Sequence, residues 1–190
     1  MFTINSIGQL VDSIDCCPWS AASGRPQPGR RRPLYSEEER RRRDASRWTV
    51  VQGVLAPVQF AVFLLSLALV LRYLTTGEGF AIATASVVLK TLVLYAIMVT
   101  GSIWERDVFG RYLFAPAFFW EDVVSILVLA LHTTYLIALF SRAVDAERLM
   151  WLALAAYASY VVNALQFVLK LRAARLQHAP PVHSALGHVP

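Results

Sequence analysis

The chain has 190 residues, of which 56% are hydrophobic and only 16% are charged. Typical soluble domains carry about 45–50% apolar and about 25% charged residues, so this composition argues against a soluble enzyme and is typical of a membrane protein. The net charge of +5 does not indicate nucleic-acid binding, because nine of the eighteen Lys and Arg precede residue 48, whereas the apolar residues follow it almost entirely.

The first segment, residues 1–35, has no sustained hydrophobic periodicity and is rich in Pro, Gly and Arg over residues 24–33. It is therefore predicted to be a disordered basic segment. It does not resemble a signal peptide, because no basic residues precede a short, interrupted apolar run. An alternative hypothesis is a misassigned start, in which residues 1–29 are translated upstream sequence. The adjacent Cys16 and Cys17 do not suggest a disulfide framework.

A short charged helix is predicted within residues 36–47, on the cytoplasmic face of the membrane. Ser36 and Glu39 have the spacing of a capping box, and three Glu–Arg pairs follow at i,i+4 in the favourable order. The simpler alternative is a solvated helix whose charges only orient the first membrane span.

Four long apolar runs occupy the segment 48–172, at about 48–71, 81–104, 114–140 and 149–169. Each reaches the roughly 20 residues that a helix needs to cross about 30 Å of hydrocarbon. None alternates with period 2, which excludes the strands of a membrane barrel. Short connections favour antiparallel neighbours, so the sequence predicts an all-α, integral membrane, four-helix up-and-down bundle. Residues 173–190 are predicted to form a disordered tail.

The basic residues predict the orientation of this bundle. One side would carry fourteen Lys and Arg, namely the nine in the N-terminal segment together with Arg106, Arg111, Lys170, Arg172 and Arg175. The other side would carry only Arg72, Arg142 and Arg148. The positive-inside rule therefore places both termini in the cytoplasm.

Ionisable residues inside apolar runs are candidates for function, because they are costly in lipid and usually face a partner or a cavity. Glu121 and His132 lie on one stripe of the third run, about 16 Å apart along a helix, and Asp122 points about 100° away. Lys90 lies about ten residues into the second run, either facing a partner inward or snorkelling to the interface. As alternatives, the two acids complement the start of a helix after Pro116, and His132 is a hydrogen-bonded structural histidine.

Uncharged polar residues form a second group of candidates. Asn163 and Gln166 are spaced i,i+3 on the fourth run, and Tyr95 and Tyr135 add hydroxyl groups. Such residues often hydrogen-bond helices to one another in lipid, which is the alternative to ligand binding. The sequence contains no phosphate-binding loop and no zinc-binding motif, and only His132 is available inside the membrane for a haem that needs two histidines.

Four long strings run through the bundle: RRPLYSEEERRRRDASRWTVVQGVLAPVQF (31–60), RYLTTGEGF (72–80), GSIWERDVFGRYLFAPAFFWEDVVSILVLALHTTYL (101–136) and AAYASYVVNALQFVLKLR (155–172). These strings resemble the vinyl bacteriochlorophyllide hydratase family of bacteriochlorophyll synthesis, and the resemblance covers roughly residues 31–177. It implies a multi-pass protein of the bacterial inner membrane. It also implies a hydro-lyase that adds water to the C3-vinyl group of a chlorophyllide-type tetrapyrrole, giving a 1-hydroxyethyl group. Contact with other pigment-synthesis enzymes is a further expectation.

Hydrating an alkene requires a general acid, a group that positions water, and a dry pocket. A carboxylic acid in an apolar site can keep its proton at neutral pH, so Glu121 is the candidate acid and Asp122 the second. His132 is a candidate base toward water or a ligand of the substrate's magnesium. The candidate substrate-binding residues are Lys90, Tyr95, Tyr135, Asn163 and Gln166, with Lys90 suited to a propionate. Hydration changes no net oxidation state, so no cofactor is expected, and magnesium enters only as part of the tetrapyrrole.

Without the resemblance, the same residues suit a non-enzymatic membrane protein. A four-helix bundle with buried Glu and Lys is also typical of a small transporter, and a pigment-binding or assembly protein is a further alternative.

Overall fold

The computed structural model describes residues 34–176, with side chains to residue 172. Five helices and no strand occur in this part of the chain, which confirms the predicted all-α class. The helices are α1 (Glu37–Ala45), α2 (Arg47–Thr76), α3 (Phe80–Phe109), α4 (Phe119–Ser141) and α5 (Ala146–Leu176). The predictions for residues 1–33, including the alternative start, and for residues 177–190 lie outside the described residues.

The four helices α2–α5 are long and apolar enough to cross a membrane. Their outward faces expose large apolar side chains such as Leu65, Val99, Phe140 and Trp151. Water would not tolerate so much contiguous apolar surface, whereas lipid would cover it. Length, composition and surface together indicate a membrane-associated protein.

Helices α2 and α3 extend past the ends of the predicted runs at 71 and 104. Each continues to a glycine in the left-handed conformation, Gly77 (φ 74°) and Gly110 (φ 76°). The Gly77 N–H donates to the Tyr73 carbonyl at 2.8 Å, and the Gly110 N–H donates to the Arg106 carbonyl at 2.9 Å. These helices end where glycine permits the left-handed cap, and not at the first charged residue.

Helix α4 begins at Phe119, whereas the sequence predicted a start near residue 114. Phe114 has φ 60°, and a turn closed by the Phe118 N–H on the Ala115 carbonyl (2.8 Å) precedes the helix. The carboxylate of Asp122 accepts the Phe114 N–H at 2.6 Å, so this side chain fastens the loop to the first helical turn. The chain from Phe114 to Phe118 therefore forms an ordered turn that leads into α4.

Helix α1 begins with the predicted capping box. The Glu39 N–H donates to the Ser36 hydroxyl at 3.2 Å, and the Ser36 N–H donates to the Glu39 carboxylate at 2.7 Å. Just before this helix, in the segment predicted to be disordered, Tyr35 is 4% exposed and stacks on Phe109 at 5.8 Å. The Tyr35 ring is shielded from water because it packs on the end of α3. Hydrophobic periodicity does not predict this contact.

The bundle consists of two closely packed helix pairs, α2 with α3 and α4 with α5, which contact each other less extensively. Gln52, near the start of α2, donates to the Thr100 hydroxyl near the end of α3 at 2.7 Å. Between the pairs, the ring of Phe63 packs against Tyr157 and Tyr160, with centroids 5.4 and 4.9 Å apart. Polar contacts also cross between the pairs, such as the Ser66–Tyr157 hydrogen bond of 2.6 Å and the Lys90 ammonium 3.9 Å from the centroid of the Tyr160 ring.

Candidate active site

Four ionisable side chains meet at the end of the bundle next to α1, and we call them the acid cluster: Glu105, Glu121, Asp122 and Lys170. Glu105 comes from the last turns of α3, the two adjacent acids from the first turn of α4, and Lys170 from near the end of α5. The three acids are 4%, 0% and 6% exposed, so none is a surface charge. Three helices thus bring together side chains that are up to 65 residues apart in sequence.

Glu121 and Lys170 form a buried salt bridge, with 2.7 Å between Nζ and Oε2. The Lys170 ammonium also lies 4.7 Å from the centroid of the Phe118 ring, a cation–π contact. The second carboxylate oxygen of Glu121, Oε1, is buried and has no hydrogen-bond partner among the described residues. One oxygen of this carboxylate is therefore held in place by Lys170, and the other remains available to accept a hydrogen bond.

The carboxyl groups of Glu105 and Asp122 lie beside each other and interact directly. Asp122 is anchored by the Phe114 N–H, and Glu105 lies next to the backbone of Ala115. A hydrogen bond between two carboxyl groups requires a proton on one of them. A proton on either acid would let the two carboxyls hydrogen-bond, and Glu105 Oε2 has no other partner among the described residues, whereas Glu121 is already ion-paired with Lys170.

Aromatic rings cover the acid cluster on the side of α1. Phe118 is at their centre, with its ring 5.7 Å from Trp104, 5.7 Å from Phe109 and 6.1 Å from Phe167. Tyr35 closes the group at 6.3 Å from Phe118. Burial raises the pKa of the Tyr35 hydroxyl above its ordinary value, although the nearby Arg43 opposes this. These rings keep water from the carboxyl groups and so strengthen their electrostatic interactions.

A second group of buried polar residues lies deeper in the bundle, and we call it the mid-bundle site: Lys90, His132, Tyr157 and Tyr160. Lys90 is 0% exposed, and its ammonium lies 3.9 Å from the centroid of the Tyr160 ring. Its Nζ has no hydrogen-bond partner. Among the described residues, no carboxylate lies within salt-bridge distance of it. This inward position differs from snorkelling, in which the ammonium would reach the interface.

His132 is also 0% exposed, with its ring 5.9 Å from that of Tyr157. Its Nδ1 is 2.8 Å from the carbonyl of Val128, which can only accept a hydrogen bond. In the neutral ring Nδ1 therefore carries the proton, and Nε2, which has no partner, presents a lone pair. His132 is eleven positions after Glu121 on α4, so this lone pair lies in a different layer from the acid cluster.

The remaining candidates occupy the helix interfaces. The Asn163 amide donates to the Ser125 hydroxyl at 2.9 Å, and the side-chain oxygens of Asn163 and Gln166 have no partner. Tyr95 shares a hydrogen bond of 2.8 Å with Thr133, which links α3 to α4. Tyr135 is fully buried. Asn163 and Gln166 lie between the acid cluster and the mid-bundle site on α5, whereas Tyr95 contributes to packing between helices.

Comparison with known proteins gives this geometry a context. The family model described as 2-vinyl bacteriochlorophyllide hydratase matches residues 35–173. A protein of that name from Cereibacter sphaeroides is 66% identical over 145 residues, which cover 76% of this chain and 90% of the relative. Another of the same name from Rhodobacter capsulatus is 63% identical over 154 residues, covering 81% and 90%. No solved structure matches significantly.

The chain belongs to the 2-vinyl bacteriochlorophyllide hydratase family. The match spans α1 to α5 and therefore contains both the acid cluster and the mid-bundle site. The predicted family resemblance is thus confirmed. In this family member, the described residues contain no group of three or more His, Cys, Asp and Glu side chains arranged to hold a metal ion.

Two residues of the acid cluster, Glu105 and Lys170, were not among the site residues predicted from the sequence. The second apolar run was predicted to end at residue 104, which placed Glu105 in the connection that follows, whereas α3 continues through it. Lys170 was used only to orient the bundle. Its spacing from Asn163 and Gln166, i+7 and i+4, was a signal that it shares their inward stripe.

Proposed function

We propose that this chain adds water to the C3-vinyl group of a bacteriochlorophyllide-type tetrapyrrole, giving a 1-hydroxyethyl group, and that the acid cluster carries the reaction. The observation that supports this site is that three buried acids lie together in two arrangements. Glu105 and Asp122 form a carboxyl pair, and Glu121 is a carboxylate paired with Lys170. Alkene hydration needs one group that donates a proton and another that accepts one.

The carboxyl pair is the proposed proton donor. The proton passes from the pair to the terminal carbon of the vinyl group, whose π electrons form the new C–H bond. Positive charge then develops on the inner carbon, where conjugation with the macrocycle delocalises it. Buried carboxylates nearby stabilise that charge electrostatically, and the aromatic cover limits competing solvent.

Glu121 is the proposed proton acceptor. The oxygen of a water molecule attacks the inner carbon, and one proton of that water moves to the free oxygen of Glu121, while Lys170 holds the other oxygen. Return of this proton to the neighbouring pair restores the enzyme, so atoms and charge balance without an oxidant or a reductant. The sequence had suggested Glu121 as the acid and Asp122 as the second choice. The salt bridge to Lys170 instead favours Glu121 as the proton acceptor and the pair of Glu105 and Asp122 as the proton donor.

The other candidate residues are proposed to contact the macrocycle. His132 lies about 16 Å along the helix from Glu121, so it is assigned to substrate contact and not to proton transfer at the vinyl group. Asn163 and Gln166 offer unpartnered oxygens in the layer between, and Tyr95, Tyr135 and Lys90 complete the proposed set. Magnesium belongs to the substrate, and the chemistry proposed here uses no separate cofactor.

The proposed topology is an up-and-down bundle in the bacterial inner membrane, with both termini and the acid cluster on the cytoplasmic side. The unequal distribution of Lys and Arg supports it. A reporter fused at Pro190 or within 106–111 should then report cytoplasm, and one within 75–79 should report periplasm. A periplasmic C-terminus would contradict the topology. A cytoplasmic site would also give access to other pigment-synthesis enzymes.

The direct test is hydration by membranes that contain the protein. Incubation with a vinyl chlorophyllide should give a product heavier by one water in mass spectrometry, and membranes lacking the protein should not. A pigment carrier or transporter is the competing function, favoured by the buried Lys90. Loss of a hydratase should accumulate vinyl pigments, whereas loss of a carrier or transporter should lower all pigments alike.

A further inference from the structure

We propose that Lys90 recognises the carboxylate of the substrate's propionate side chain and thereby makes the enzyme selective for free-acid tetrapyrroles over their esters. This inference rests on the proposed hydratase function. It adds a specificity-determining residue in the mid-bundle site, apart from the groups assigned to proton transfer.

The first support is the environment of the Lys90 side chain. Its ammonium is fully buried, faces the Tyr160 ring at 3.9 Å and has no hydrogen-bond partner. A cation–π contact offsets part of the cost of burying a cation but brings no opposite charge. A carboxylate would bring both the charge and the acceptor oxygens that an ammonium with three N–H groups needs.

The polar neighbours of Lys90 do not supply that charge. The Thr91 hydroxyl donates to the Val87 carbonyl of its own helix at 2.8 Å. The Tyr157 hydroxyl is hydrogen-bonded to Ser66 at 2.6 Å. From α4, the facing titratable group is His132, which lies close enough to interact electrostatically with Lys90 and can contribute no negative charge. Among the described residues, none pairs an opposite charge with Lys90, so a bound carboxylate is the proposed partner of its charged form.

The second support is the spacing between Lys90 and the acid cluster. Along α5, Tyr160, which the ammonium contacts, is ten residues from Lys170, which pairs with Glu121, or about 15 Å. Along α4, His132 and Glu121 give about 16 Å. These axial spacings are of the same order as the length of a tetrapyrrole from its vinyl group, across two pyrrole rings, to the tip of its propionate.

The residues between the two sites suit the body of such a substrate. On α5, Asn163 and Gln166 present side-chain oxygens without partners along this path. The seam between the two helix pairs, which pack more closely within themselves than against each other, is the route by which a flat apolar ring would enter from lipid. A vinyl group at the acid cluster then places the propionate at Lys90.

The test compares a vinyl chlorophyllide with its methyl ester on wild type and Lys90→Gln, in membranes matched for inserted protein. Wild type should prefer the acid. The acid-to-ester ratio of kcat/KM should fall by about 10- to 100-fold in Lys90→Gln, because a hydrogen bond to a charged group contributes about 1.5–3 kcal/mol. Lys90→Arg, which keeps the charge, should retain a preference for the acid. Arg72→Gln removes an exposed cation as the matched control and should leave the ratio unchanged.

Several outcomes would overturn the inference. An unchanged ratio in Lys90→Gln, or an equal loss with both substrates, would make Lys90 a structural residue. If Lys90→Gln fails to insert, the inference can still be tested on wild type. The acid and the ester of an unreactive 3-ethyl analogue are then compared as inhibitors of hydration. Equal inhibition by the two would reject carboxylate recognition. Wild type that hydrates acid and ester equally rejects only this inference, whereas wild type that hydrates neither rejects the proposed function.

Discussion

The acid cluster and the mid-bundle site are both buried and polar, but they differ in how the protein satisfies their charges. In the acid cluster, Lys170 pairs with Glu121, and Asp122 accepts a backbone N–H. In the mid-bundle site, the Lys90 ammonium and the His132 Nε2 have no hydrogen-bond partner. The acid cluster also has open atoms, Glu105 Oε2 and Glu121 Oε1, but Glu121 is ion-paired, whereas among the described residues no opposite charge pairs with Lys90. Ion-paired groups are preorganised for chemistry, and a buried cation without a counter-charge is suited to bind an anionic ligand.

The largest expected loss of hydration comes from two variants of the acid cluster. One removes part of the proposed proton donor, and the other removes the proposed proton acceptor. Glu105→Gln removes a carboxyl from the donor pair, so both hydration and vinyl hydrogen exchange in D₂O should fall by about 10²–10⁴-fold. Glu121→Gln should lower hydration to a similar extent but still exchange the terminal vinyl hydrogens for deuterium, because the donor pair remains. The measurement is mass spectrometry of recovered substrate and product.

The same two variants can show that the roles are reversed. If Glu121→Gln abolishes both hydration and exchange while Glu105→Gln retains both, Glu121 is the proton donor that the sequence first suggested. Asp122→Asn is the third member of the series. It should behave like Glu105→Gln, because both carboxyls belong to the donor pair.

A smaller effect is expected from the aromatic cover that separates the acid cluster from water. Tyr35→Ala removes the ring that packs on Phe109 and Phe118. Turnover should fall by about 10- to 100-fold, because small displacements of positioned groups have effects of this size. Tyr35→Phe keeps the ring and should retain most of the turnover.

Deletion of residues 1–29 is the matched control for this aromatic contact. The sequence there predicts no packing or membrane segment, so the truncated protein should insert and hydrate normally. If the deletion abolishes turnover at normal protein level while Tyr35→Ala has no effect, the important contact lies in the first segment and not in the aromatic cover.

The sequence predicted the helices well because each apolar run is long, and lipid leaves helices as the main solution for such runs. It predicted their ends less well, since Gly77 and Gly110 and not the first charges end α2 and α3. Periodicity identified Glu121 and His132 as one stripe, and both are fully buried. Their catalytic and binding roles stay predictions.

The partners of those residues could not be predicted in the same way. Periodicity assigns a residue to a face of its own helix but not to a residue on another helix. Glu121 and Lys170 are 49 residues apart, and their salt bridge depends on how α4 packs against α5. Glu105 directly followed the predicted end of the second run at residue 104, so periodicity did not place it on the inward face of α3. The proposed assignment of proton donor and acceptor therefore depends on tertiary packing, which periodicity does not give.

The smallest expected effect concerns the layer between the two sites, where Asn163 has one satisfied and one open polar atom. Ser125→Ala breaks the hydrogen bond to Asn163 and should lower the free energy of unfolding by about 0.6 kcal/mol, a typical value between membrane helices.

Asn163→Leu should lower stability by a similar amount. It should also raise KM about fivefold, because it removes the oxygen proposed to face the macrocycle and a neutral hydrogen bond contributes about 1 kcal/mol. Thermal unfolding in detergent and KM measured on both variants check this. Equal KM values for the two variants would limit Asn163 to joining α4 and α5, and substrate contact in this layer would then fall to Gln166.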